Sequence, residues 1–222
     1  MTTGTALIAG ATGLIGRQLL EQILVSPNWA SVRVLSRRSI AHENPKLEVC
    51  EINFDRLPNL AQEDPALFDV DAVFCCLGTT LKTAGSKAAF AKVDRDYVVN
   101  LAKAAEQGGA RRFLMVSAIG ADAGSMFFYN RIKGETEAAV KALRFEAVHI
   151  FQPSLLLGDR QEHRPGEAFS QKLSPALSPL LAGPLARYRP VAGATVAAAM
   201  LDHAASDSTG IQVHRYDGSR FR

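Results

Sequence analysis

The stretch Thr5-Ala6-Leu7-Ile8-Ala9-Gly10-Ala11-Thr12-Gly13-Leu14-Ile15-Gly16 constrains this chain more than any other. Thr5 to Ala9 is a short apolar run, the pattern of a strand buried on both faces. It runs into Gly10, Gly13 and Gly16, and beyond Leu14 the residues Leu20, Ile23 and Leu24 share one side of an amphipathic helix. A strand, a tight turn and a helix in that order form the local geometry that receives a pyrophosphate. Gly10 lets the chain turn sharply, Gly13 lets backbone approach the phosphates, and Gly16 lets the helix pack close to the strand. The first helical amides and the positive end of the helix dipole face the ligand, so Thr12, Leu14 and Ile15 join the three glycines as candidate cofactor contacts. The spacing is Gly-x-x-Gly-x-x-Gly rather than the commoner G-x-G-x-x-G, so the flanking strand and helix carry the assignment. A glycine-rich turn with no ligand would explain the turn and leave that placement a coincidence.

The rest of the chain keeps the alternation. Strands are expected at Ser31–Leu35, Leu47–Ile52, Ala72–Leu77, Arg112–Val116 and Ala147–Phe151, with an edge strand at Ile211–His214. Helices are expected at 88–107, with Val93, Tyr97, Leu101 and Ala104 on one face and Asn100 beside them, at 128–143 and at 192–204. Pro58 and Pro65 limit the stretch 54–68 to short helical pieces. Such β/α order predicts an α/β fold, a doubly wound parallel sheet with helices on both faces. With 222 residues, 47% of them hydrophobic, the chain suits a single domain over 1–222. Half of the ten prolines fall between Pro165 and Pro190, among Leu173, Leu177, Leu180, Leu181 and Leu185. Residues 160–190 therefore read as a proline-rich, substrate-side cap of short helices, or alternatively as a homodimer surface.

Cofactor preference is read where the second strand ends. A carboxylate there would bind a ribose 2′-hydroxyl, whereas this chain has Ser36-Arg37-Arg38. Guanidinium groups suit a 2′-phosphate, so Arg37 and Arg38 point to NADP(H), with solvated surface arginines as the plain alternative. Asp55 is placed near the adenine amino group. Leu77, Gly78 and Thr79 close the fourth strand beside the crevice, and Pro153 and Leu155 flank the nicotinamide after the sixth. For the chemistry, Ser117 ends the fifth strand, and Tyr129 and Lys133 stand four apart at the start of the next helix. An ammonium beside a phenol favours phenolate, which makes Tyr129 a candidate acid/base. Lys133 can also hold the nicotinamide ribose, and Ser117 can orient a substrate carbonyl. Alone, Tyr-x-x-x-Lys is a weak motif. Its position after the fifth strand of a glycine-turn fold gives it weight.

On these residues the chain resembles the atypical short-chain dehydrogenase/reductases: Gly10-Ala11-Thr12-Gly13-Leu14-Ile15-Gly16, Ser117, and Tyr129-x-x-x-Lys133. It is more closely similar to the subgroup of Tat-interactive oxidoreductases. The stretches that carry this are Cys76-Leu77-Gly78-Thr79-Thr80, Val93-Asp94-Arg95-Asp96-Tyr97, Lys133-Gly134-Glu135 and Leu157-Gly158-Asp159-Arg160 through Arg164-Pro165-Gly166-Glu167. The resemblance implies a Rossmann-type fold, NADP(H) at the glycine turn, and a Ser/Tyr/Lys active site. Ser117-Ala118 departs from the paired serines of many relatives, which puts the third catalytic member at issue.

The expected activity is therefore an NADPH-dependent reduction of a carbonyl on a small-molecule substrate, or oxidation of the alcohol. An NADPH-binding regulatory or redox-sensing protein is the alternative, and another nucleotide-binding α/β enzyme such as a methyltransferase the third. A net charge of +3, with no lysine/arginine block, gives no reason to expect nucleic acid. No apolar run is long enough to cross a membrane. Cys50, Cys75 and Cys76 all fall in expected strands as small buried hydrophobes, consistent with a reducing, cytoplasmic setting. The histidines at 42, 149, 163, 203 and 214 show no ligand spacing, His149 reads as a core residue, and no metal is expected. Arg160 and Arg164 are candidates to receive an anionic substrate.

Overall fold

The first strand, β1 (Gly4–Ala9), lies at the centre of the sheet because Ala6, Leu7, Ile8 and Ala9 have no polar side chain and no exposed surface. The computed structural model describes residues 4–157 and 187–222. Most of the proline-rich segment, with Arg160, His163, Arg164 and the five leucines between 173 and 185, lies outside the described residues. After β1 come α1 (Leu14–Val25), β2 (Trp29–Ser36), β3 (Leu47–Glu51), α2 (Leu57–Glu63) and β4 (Ala72–Cys75). A short α3 (Leu81–Ala84) precedes α4 (Lys87–Ala91), which continues through a π-helical turn, Lys92–Asp96, into α5 (Tyr97–Gln107). Then follow β5 (Arg112–Val116), α6 (Phe128–Lys141), β6 (Ala147–Gln152), β7 (Leu156–Leu157), β8 (Val191–Ala192), α7 (Gly193–Ala204) and β9 (Gly210–Arg215).

Seven strands form one sheet in the order β3-β2-β1-β4-β5-β6-β9, and every pairing is parallel. The expected Rossmann-type doubly wound sheet is present. Strand order reverses between β1 and β4, where Ile8 lies opposite Val34 on one side and Phe74 on the other. Such a reversal opens a crevice at the carboxyl ends of the strands. Alternation along the strands divides the core in two. Leu7, Val73, Phe113 and Ile150 face α2 and α5, whereas Ala6, Ile8, Phe74 and Leu114 face α1 and α7. Cys75 joins the first cluster and Cys76 packs against the second, and all three cysteines are free. Burial raises the Cys75 thiol to about 12. Among the described residues no helix is long and apolar enough to cross a membrane.

Two differences from the sequence reading bear on the site. The helix expected over 88–107 is interrupted by the π turn, which inserts a residue between its two segments. Leu101 and Ala104 of the expected face are buried and Tyr97 packs against the core, joined by Asp94, Val98, Ala102 and Ala105, whereas Asn100 is only half-buried and outside the cleft. The second difference is the pair β7–β8, a two-stranded sheet beyond β6. Each strand has two residues, too few for any alternation to register.

Candidate active site

The glycine turn is built as its residue types demand. Gly10 sits at φ +87°, and a Cβ there would lie 2.6 Å from the backbone of Cys76 at the end of β4. A Cβ on Gly16 would come within 2.1 Å of the Gly10 carbonyl oxygen, so α1 packs against the turn itself. Gly13 begins α1 without any side-chain cap, and no acidic residue occupies the first turn. The leading amides of α1 therefore point at open space, the arrangement that accepts an anion.

That space is a cleft of about 850 Å³, the size that takes a cofactor. Gly10, Thr12, Gly13, Leu14 and Ile15 line it, as do Arg37 and Arg38, Leu77 to Thr79, Pro153 and Leu155, and Ser117, Tyr129 and Lys133. Gly16 and Asp55 are the expected site residues that do not. Gly16 serves the packing described above. The Asp55 carboxylate is taken instead by Lys92 at 2.7 Å and by the Tyr97 hydroxyl at 2.9 Å, which hold its pKa below the usual range. Its neighbour Phe54 lines the cleft in its place. Among the described lining residues the cations are Arg17, Arg37, Arg38 and Lys133, and Asp94 is the only carboxylate. Open helix amides, a backbone that tolerates no Cβ, and an excess of cations fit a phosphate-bearing dinucleotide.

At the other end of the cleft, Tyr129 in the first turn of α6 is 40% exposed and rests against the buried ring of Phe90. One turn on, Lys133 is buried, and its Nζ lies 2.7 Å from Asp94 Oδ1. Asp94 is itself buried and its other oxygen accepts the Thr79 amide at 2.8 Å. Thr79 thus commits its N–H to the protein while lining the cleft. Burial acts to depress the Lys133 ammonium, but Asp94 and Tyr129 outweigh it and set its pKa above the ordinary lysine value. The π turn is what brings Asp94 to this point. The Thr136 hydroxyl is shared between the Ile132 carbonyl at 2.7 Å and the Asp94 carbonyl at 3.0 Å, and Arg95 bridges to Glu135 at 2.9 Å, so α6 holds the turn in place.

Ser117 lines the cleft with Tyr129 and Lys133, but its hydroxyl is already engaged. Its hydroxyl donates to Glu137 Oε1 at 2.5 Å, and the same carboxylate accepts from Gln152 at 2.8 Å and meets Lys141 at 3.3 Å. A serine has one proton to give, and here it is spent on a buried glutamate. Ala118 follows it in the lining and has none to offer. Asp94 and Glu137 are the two residues that sequence reasoning missed. Both are acidic side chains within helical stretches, which ordinarily face solvent.

Residues 10–155 match a family described as NAD(P)H-binding, and the chain belongs to that family. The chain is 39% identical to protein HTATIP2 of Rattus norvegicus over 95% of its own length and 85% of that protein. It is 35% identical to the mitochondrial protein fmp52 of Emericella nidulans over 77% of this chain and 74% of that one. Solved structures agree in fold. WbmH of Bordetella bronchiseptica in complex with NAD⁺ gives a TM-score of 0.70 at 15% identity, covering 98% of this chain and 77% of that one. The oxidoreductase ylbE of Lactococcus lactis gives 0.68 at 17% identity, covering 98% and 92%.

Proposed function

We propose that this protein is an NADPH-dependent oxidoreductase that reduces a carbonyl group, with Tyr129 as the proton donor. The observation that carries the reading is the Tyr129–Lys133–Asp94 constellation at the end of the cleft away from Arg37 and Arg38. When bound, a reduced nicotinamide supplies hydride. The developing alkoxide needs a proton, and the Tyr129 hydroxyl gives it. That leaves a phenolate, which the ammonium of Lys133 stabilises one helical turn away. Asp94 keeps Lys133 charged and in position. Tyr129 is exposed enough to regain its proton from water. Arg37 and Arg38 stand at the rim with no carboxylate beside them in the lining, which supports a 2′-phosphate over a bare ribose hydroxyl.

The test follows nicotinamide absorbance while the protein is incubated with NADPH and a panel of aldehydes and ketones. Turnover is expected, and Tyr129→Phe should lower kcat by about 10²- to 10⁴-fold with NADPH affinity unchanged. One observation favours a second reading, a non-catalytic NADPH-binding regulator: the Ser117 proton is spent on Glu137 and Ala118 has none. Tight NADPH binding, no turnover with any carbonyl and indifference to Tyr129→Phe would select that reading.

A further inference from the structure

Three histidines meet beyond the active site, on the side of the sheet that α7 covers. His149 comes from β6, His214 from the edge strand β9, and His203 from the last turn of α7. In sequence they are far apart, which is why their spacing showed nothing. One ring nitrogen from each lies within 4.8 Å of the other two. His149 is wholly buried, His214 is 4% exposed, and His203 is half-buried. Phe151 packs against His203 and His214, so the cluster has an apolar wall.

The hydrogen bonding narrows what sits between the rings. His149 Nδ1 and His214 Nε2 are 3.0 Å apart. The outer nitrogen of His149, Nε2, lies 3.4 Å from Ser208 Oγ, which is 2.6 Å from Ser206 Oγ, and Ser206 in turn donates to the His203 carbonyl at 2.8 Å. With Nε2–H donating to Ser208, the lone pair of His149 Nδ1 faces His214. Two species can then fill the gap: one proton carried by His214, or one cation that both nitrogens coordinate. Orientation of a ring through its remote nitrogen is the usual support behind a metal-bound histidine.

We infer that His149, His203 and His214 form a binding site for a divalent transition-metal ion of the zinc class, which clamps α7 and β9 to β6. Imidazole nitrogens suit zinc, copper and nickel, whereas oxygen-seeking calcium and magnesium have no ligands here. Ligands about 2.1 Å from a tetrahedral zinc sit about 3.4 Å apart. His149 and His214 must therefore part by a few tenths of an ångström, and His203 must close in. The His203 ring already lies 3.9 Å from the His214 ring at 33°, so its approach is a rotation that turns a nitrogen into the gap. A fourth position is left for water. The charges nearby oppose each other: the Arg112 guanidinium works against a cation at His149, and Asp202 acts beside His203 in its favour.

The experiment uses tag-free full-length protein, stripped with a chelator and then titrated with zinc chloride. One equivalent should bind per chain, and the unfolding midpoint should rise with free zinc as linkage requires. Cobalt(II) should give the strong visible bands of a four-coordinate ion, a readout that needs no variant. His203→Gln should weaken zinc binding at least tenfold and keep NADPH affinity, the control for a folded chain. No one-to-one zinc binding by the wild-type chain, a six-coordinate cobalt spectrum, or equal affinity in His203→Gln would overturn the site.

Discussion

At the glycine turn the cleft is walled by backbone, with helix amides and close-packed glycines and no buried charge, whereas at Tyr129 it is walled by side chains that pair a buried cation with a buried anion. The first end owes its shape to the absence of atoms. Gly10 and Gly16 exclude a Cβ, and nothing there must be ionised for the geometry to hold. The second end depends on Asp94 and Lys133 staying charged together out of water. Pairs of that kind stabilise little in net terms, yet removing one partner strands the other. The recognition end should therefore tolerate changes at its rim, and the chemical end should tolerate few.

Three substitutions test that contrast. Asp94→Asn should have the largest effect, because it leaves the buried Lys133 ammonium without a counter-charge. Urea unfolding should show a loss of about 3–5 kcal/mol, and a second change, Lys133→Met, should restore most of it. Lys133 would also lose the interaction that raises its pKa, so activity should fall away at lower pH than in the wild type as the amine deprotonates. Equal stability of wild type and Asp94→Asn would break the comparison. Ser117→Ala comes next. It removes one of the donors to the buried Glu137, so stability should drop by about 1–2 kcal/mol while kcat changes less than tenfold. A thousandfold loss of kcat with intact stability would return Ser117 to the catalytic set. Replacing Arg37 and Arg38 together with alanine should have the smallest effect. Both are exposed at the rim, so folding is unchanged and NADPH affinity falls about tenfold, with NADH affinity nearly constant. Fluorescence titration of the reduced cofactors separates this from equal losses for both, which would argue against a 2′-phosphate role.

The same contrast sorts what the sequence could reveal. The glycine turn, the strands around it and the Tyr129–Lys133 spacing are local patterns, and each is where its residues place it. The face Val93–Tyr97–Leu101–Ala104 holds at Leu101 and Ala104, which are buried, but a straight helix of 3.6 residues per turn carries no sign of the inserted residue beside Asp94. Asp94 went unread for that reason. It stood within a run of charges that reads as a solvated surface. Glu137 was hidden by the same rule, and its partners Ser117 and Gln152 come from other elements. His149, His203 and His214 meet only through the β6–β9 pairing and the packing of α7, neither of which is encoded by spacing.

The π turn has a consequence for how the helix can change. One extra residue advances the screw by about 100°, so the segment before it and the segment after it serve different neighbours. Phe90 ahead of the turn supports the tyrosine ring, and Val98 and Leu101 behind it fill the sheet-facing core. Shortening the helix by a single residue would bring the two segments into phase and misdirect one of them. The irregularity thus couples the spacing of the reactive end to the integrity of the core, and neither can drift without the other.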